Sequence, residues 1–261
     1  MTPPAARLEG TSDLTELSAT QVFRIAFADI AALAFEKGQL SERARRDAMA
    51  RENFTHYFTP MHAERIATDP HAARLGGETR PAAVLFSDVR GFTGLTETMD
   101  PPSTARLLSE MFAELVECVI RSGGTVDKFM GDAVMAQWGA PETLGDEADR
   151  AIEAALDMLN ALDALNARWD LEQRPMLQMG IGLGFGNVFA GTIGSDLRLE
   201  YTLIGDAVNT ASRLCAAAGA GEILVSDEFR CALHGPWVLT PLPPLRLKGK
   251  SRPILAHRVE R

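Results

Sequence analysis

Two apolar runs, Thr125 to Phe129 and Ala133 to Trp138, are separated only by Met130, Gly131 and Asp132. Runs this closely joined predict a β-hairpin, and with it antiparallel pairing in the sheet. The segments around the hairpin alternate in type. AAVLFSD (82–88) is a short apolar run of the kind found in a buried strand. PPSTARLLSEMFAELVECVIRSGG then predicts a helix with Pro at its start, Ser103 or Thr104 as N-cap, an apolar stripe of Leu108, Phe112, Leu115 and Val119, and Gly123-Gly124 as its stop. A second helix is predicted from about Gly145 to Trp169, followed by strands near Leu177–Leu183 and Val188–Ala190. A strand over 200–204, a helix over 206–217, a strand over 222–225, a short helix, and strands around Leu245–Lys248 and Ile254–Val259 complete the pattern. Helices and strands interleave without strict βαβ repetition, so the class is α+β or a mixed-sheet α/β domain.

Ahead of this region, residues 1–12 read as a loose terminus. From 13 to 56, Val22, Ile25, Ile30, Leu33 and Leu40 recur at helical spacing, predicting an amphipathic helix that either packs on a surface or pairs with its copy in a dimer. Its segment FADIAALAFEKGQLSERARRD resembles the end of a GAF-type sensor domain, which implies a sensor upstream. Residues 57–79, with Pro60, Pro70, Gly76 and Gly77, read as a connector, placing the main domain at 80–261. The net charge of −9 weighs against binding nucleic acid or an anionic membrane, so an anionic ligand must be met by metals or individually placed cations. Cys118, Cys215 and Cys231 are odd in number and widely spaced, which predicts no disulfide framework or zinc site and fits a reducing cytoplasm. The apolar stretch Ile25 to Phe35 is too short, and with Asp29 too polar, to span a bilayer, and no signal peptide is evident.

Asp88 closes the first buried strand and Asp132 opens the second arm of the hairpin, so neighbouring strands could bring both carboxylates together. Such a pair suits hard divalent cations, although aspartates at strand ends also serve as turn formers or helix caps. The surrounding motifs are more specific. FSDVRGFTGLTE (86–97) and VDKFMGDAVMAQWGAP (126–141) closely resemble the two metal-site motifs of class III adenylyl cyclases, and LRLEYTLIGDAVNTASRL (197–214) resembles that family's third signature. The likeness extends over about residues 80–259. It implies a ferredoxin-like palm sheet flanked by helices, with two active sites at the interface of a head-to-tail homodimer.

By the same resemblance, Asp88 and Asp132 would hold two Mg²⁺ or Mn²⁺ ions with help from the Val89 carbonyl, and the turn through Phe92 and Thr93 would present N–H groups to the β- and γ-phosphates. Lys128 and Thr202 match the base-recognition positions. A lysine donor suits adenine N1 and opposes the N–H of guanine, so ATP is favoured as substrate. Threonine at 202, where many adenylyl cyclases carry aspartate, resembles the subclass that includes bicarbonate-responsive enzymes. Asn209 and Arg213 match the ribose-positioning and transition-state pair, and Lys248, with Lys250 close by, matches the triphosphate lysine. The implied activity is conversion of ATP to 3',5'-cyclic AMP and pyrophosphate. A guanylate cyclase and a catalytically silent nucleotide-binding module stand as alternatives. The glycines of GIGLGFGNVFAG (180–191) never give GxGxxG, and read as tight packing and turns.

Overall fold

The computed structural model describes residues 75–195, 197–246 and 252–261, together with Lys37. The helix expected over 13–56 with its GAF-like segment, most of the connector, and Lys248 lie outside the described residues. An eight-stranded mixed sheet forms the framework, comprising β1 (Gly76–Val89), β2 (Thr125–Met130), β3 (Ala133–Trp138), β4 (Met179–Ser195), β5 (Arg198–Ile204), β6 (Ile223–Ser226), β7 (Leu239–Pro241) and β8 (Ala256–Val259). The helices are α1 (Phe92–Thr96), α2 (Pro101–Arg121), α3 (Glu147–Leu171), α4 (Asp206–Ala217) and α5 (Asp227–Cys231). The strand order is β2-β3-β1-β4-β6-β8-β7, with β5 paired to β4. The unit β1-α2-β2-β3-α3-β4, with its strands ordered β2-β3-β1-β4, is the ferredoxin-like palm implied by the sequence resemblance.

The unbroken apolar run at 82–86 follows from burial on both sides of β1. Ala83 and Leu85 face a core built with Leu107, Met111 and Leu115 of α2 and Ile152, Met158 and Leu162 of α3. Ala82, Val84 and Phe86 face the opposite cluster, where Leu203 of β5 and Ala207, Ala211 and Cys215 of α4 close over the sheet. The helix α4 can approach closely because β4 offers glycines there. A Cβ at Gly182 would run into the backbone of Ala211 and Cys215, and one at Gly184 into the backbone of Ala207 and Ala211. The alternating glycines are therefore a docking groove for a helix.

Several boundaries differ from the sequence reading. Strand β1 begins at Gly76, inside the segment read as connector, because its exposed first half pairs with Asn187–Thr192 of β4 and needs no apolar signature. The two strands read at 177–183 and 188–190 are one strand, β4, whose glycines bring close approach without breaking the ladder. The N-cap of α2 is Asp100 rather than Ser103 or Thr104. With prolines at the first two helical positions, the first N–H in need of a partner is that of Ser103, and it donates to Asp100 Oδ1 at 3.0 Å. Met130, at the end of β2, is 42% exposed. Among the described residues, no helix is long and apolar enough to cross a membrane.

The groove makes a stability prediction with an internal control. Gly182→Ala forces a methyl group into α4's backbone and lowers stability by about 1–3 kcal/mol. Gly186→Ala meets only the Ala207 methyl at 3.6 Å and changes stability little. Denaturant midpoints of the two variants check this, and equal midpoints would contradict it.

Candidate active site

At one end of the palm, the hairpin turn swings Asp132 beside the end of β1. Gly131 permits the turn with φ 68°, and the Val89 N–H donates to Asp132 Oδ2 at 3.2 Å. Partial burial, reinforced by the Asp132 charge, raises the Asp88 carboxyl above the usual aspartate range, while Arg90 pulls it down. Arg90 Nη1 donates to Asp88 Oδ2 at 2.8 Å, and its Nη2 donates to the carbonyl of Cys215 at the end of α4. The guanidinium lies against Gly180, where any Cβ would strike it. Asp88 is paired with the Arg90 guanidinium while Asp132 accepts from a main-chain N–H, so the two carboxylates together carry an excess of negative charge on oxygen donors, which is the chemistry of a hard divalent cation. Among the described residues, no group of three or more His, Cys, Asp and Glu side chains is arranged to hold a metal. Further ligands at this pair would thus come from main-chain carbonyls, water or a bound phosphate.

Next to this pair, Gly91 at φ 70° turns the chain into α1. Phe92 packs partly buried against the main core and Thr93 is exposed. The first N–H groups of such a turn have no partner within the helix, so they suit an anion.

A second cluster joins β2 to β5, two strands that do not pair with each other. Lys128 Nζ forms an ion pair with Glu200 and lies 3.3 Å from Asp127 Oδ1. Thr202 Oγ1 donates to Asp127 Oδ2 and Oδ1 at 2.9 and 3.1 Å. Burial works to lower the Lys128 pKa, but the carboxylates of Glu200 and Asp127 outweigh it and hold the ammonium above its usual range. On α4, Asn209 and Arg213 stand one turn apart on the exposed side, with Ala207, Thr210, Ala211 and Leu214 buried opposite.

The structure therefore brings Asp88 together with Asp132, and Lys128 together with Thr202, and it aligns Asn209 with Arg213. Three residues of these clusters have side-chain roles that the sequence does not signal. Arg90 anchors Asp88, Glu200 pairs with Lys128, and Asp127 joins Lys128 to Thr202. Arg90 and Glu200 lie within the recognised motifs, but their partners are distant in sequence or set by backbone turns. Asp127, adjacent to Lys128, would point to the opposite face in a regular strand.

Known proteins share this fold. Residues 77–259 match the family model described as the adenylate and guanylate cyclase catalytic domain. The adenylyl cyclase CyaB from P. aeruginosa superposes with a TM-score of 0.69 at 34% identity, covering 72% of this chain and 97% of that one. The guanylyl cyclase Cya2 superposes with a TM-score of 0.68 at 32% identity, covering 71% and 94%. An uncharacterized protein of Mycobacterium tuberculosis is 39% identical over 164 residues, 62% of this chain, which spans only 29% of that relative's length. With this match from β1 to β8, the chain belongs to the family of adenylate and guanylate cyclase catalytic domains.

Proposed function

We propose that this domain is an adenylate cyclase that converts ATP to 3',5'-cyclic AMP and pyrophosphate in a homodimer. The observation that carries this reading is the convergence of Lys128 and Thr202 on Asp127, which sets an ammonium donor near a hydroxyl at the positions that match the family's base-recognition residues. An ammonium only donates, so it complements adenine N1 and opposes guanine N1–H.

Asp88 and Asp132, with the Val89 carbonyl, would hold two Mg²⁺ or Mn²⁺ ions. Bound there, the cations supply acidification of the ribose 3'-hydroxyl and neutralisation of charge on the triphosphate. The 3'-oxygen attacks the α-phosphorus in line as its proton leaves, the O3'–Pα bond forms, and the bond from Pα to the oxygen bridging to Pβ breaks to release pyrophosphate. The turn through Phe92 and Thr93 orients the β- and γ-phosphates with its main-chain N–H groups. Asn209 positions the ribose, and Arg213 forks onto α-phosphate oxygens as charge builds in the transition state. Lys248 serves the triphosphate. In this reading one copy supplies the metal ligands of a site, and its partner supplies Lys128, Thr202, Asn209, Arg213 and Lys248.

The segment at 13–56 is proposed to hold the dimer or to carry a cue from an upstream sensor, and the working compartment to be the reducing cytoplasm. Cys118 and Cys215 are buried and Cys231 exposed, all as free thiols.

The test is cyclic nucleotide formation from ATP and from GTP, with magnesium or manganese, across a range of protein concentrations. Cyclic AMP is the expected main product, with specific activity rising as the protein is concentrated and vanishing in Asp88→Ala. Lys128→Glu combined with a substitution at Thr202 is expected to erode the preference for ATP. A chain that binds ATP yet forms no cyclic nucleotide under any of these conditions would instead be the silent nucleotide-binding module.

A further inference from the structure

Residues 127 and 128 are neighbours in β2, and in regular β structure their side chains would point to opposite faces. The ladder between β2 and β3 breaks at this point. Val126 pairs with Ala136 and Lys128 with Met135, so Asp127 is the extra residue of a β-bulge. A bulge re-aims the side chains around it. Here it brings the Asp127 carboxylate to Lys128 Nζ, 3.3 Å away, and to Thr202 Oγ1, which donates to both of its oxygens. The Asp127 side chain is only 3% exposed, whereas Glu200, the other partner of Lys128, is 40% exposed. The buried carboxylate is thus the fixed member of the group, and the exposed one can yield to a ligand.

These bonds carry a polarity. A hydroxyl has one proton and two lone pairs. With its proton directed at Asp127, Thr202 Oγ1 can only accept from anything that approaches. An ammonium has three protons. Asp127 and Glu200 engage two of them, which leaves Lys128 a donor toward the same approach. The cluster therefore presents a donor beside an acceptor. Adenine carries an acceptor at N1 and a donor at its 6-amino group, whereas guanine carries N1–H and the O6 acceptor, the reverse at both positions.

We propose that Asp127 is a positioning residue for purine selectivity, which from its bulge fixes the Thr202 hydroxyl as an acceptor beside the Lys128 donor. The inference rests on reading Lys128 and Thr202 as the base-recognition pair. Burial pushes the Asp127 carboxyl up, while the Lys128 ammonium and the Thr202 hydroxyl hold it down.

The test uses the full chain and measures kcat and KM for ATP, for GTP and for purine riboside triphosphate, which lacks the 6-amino group. Wild type is compared with Asp127→Asn, Thr202→Val and the double variant. Asn keeps the size of Asp, but its amide can donate to Thr202 and turn the hydroxyl proton outward. The ratio of kcat/KM for ATP over GTP is expected to fall about tenfold or more in Asp127→Asn, chiefly through the KM for ATP. Adding Asp127→Asn to Thr202→Val is expected to cost less selectivity than Asp127→Asn costs alone, because the part that acts through the hydroxyl is already gone and only the contact with Lys128 is left. A merely structural role would weaken both nucleotides alike, so an unchanged ratio in folded Asp127→Asn overturns the inference. If that variant does not fold, wild type alone decides. An oriented acceptor requires ATP to be preferred over purine riboside triphosphate by about tenfold, and equal use of the two overturns it. A wild type that prefers GTP, or cyclises neither nucleotide, defeats the reading of the base pair itself, and this inference falls with it.

Discussion

The antiparallel pairing of β1 with β4, continuous from Gly76 with Thr192 to Val89 with Met179, is the constraint on which the rest of the molecule depends. It joins the two halves of the palm and buries both faces of β1. It also fixes Asp88 at one end, where the hairpin turn meets it, and at the other end supports the return strand β5 that carries Thr202. The glycine groove of β4 then sets α4 close against the sheet, so that Asn209 and Arg213 project from its far side. Sheet geometry and the lack of a few side chains thus place the chemical groups.

An acidic chain with a net charge of −9 must bind an anionic substrate through local exceptions to its own charge. Two cations near the candidate site are tied to internal acceptors. Arg90 is held between Asp88 and the carbonyl of Cys215, linking the carboxylate pair to the end of the helix that carries Arg213. Lys128 is held by Asp127 and Glu200. Each tether costs rotamer freedom and partial desolvation, and in return the charge is preorganised where a ligand would meet it.

Much of this was legible in the sequence because it rests on patterns with a definite period or a rigid residue. The helix read at 206–217 coincides with α4, and the hairpin about Gly131 follows from two short apolar runs. The three motifs carried Asp88 and Asp132, which meet at the end of β1, and Lys128 and Thr202, which meet at Asp127. The exposed first half of β1 was not legible, since it is held by backbone pairing and carries no hydrophobic signature. Nor was the N-cap at Asp100, where two prolines move the first needy N–H downstream. Asp127 was hidden for the most specific reason, because a single bulge overturns the alternation by which strand residues are assigned to faces.

In the proposed homodimer each active site takes its carboxylates from one copy and its base-reading and transition-state residues from another. The most direct measurement mixes two inactive variants, Asp88→Ala and Arg213→Ala, under conditions that let subunits exchange. Heterodimers would contain one site with Asp88 and Arg213 both intact, so cyclic AMP formation is expected to appear in the mixture though absent from either variant alone. A mixture that forms heterodimers yet stays inactive would contradict a site shared between copies.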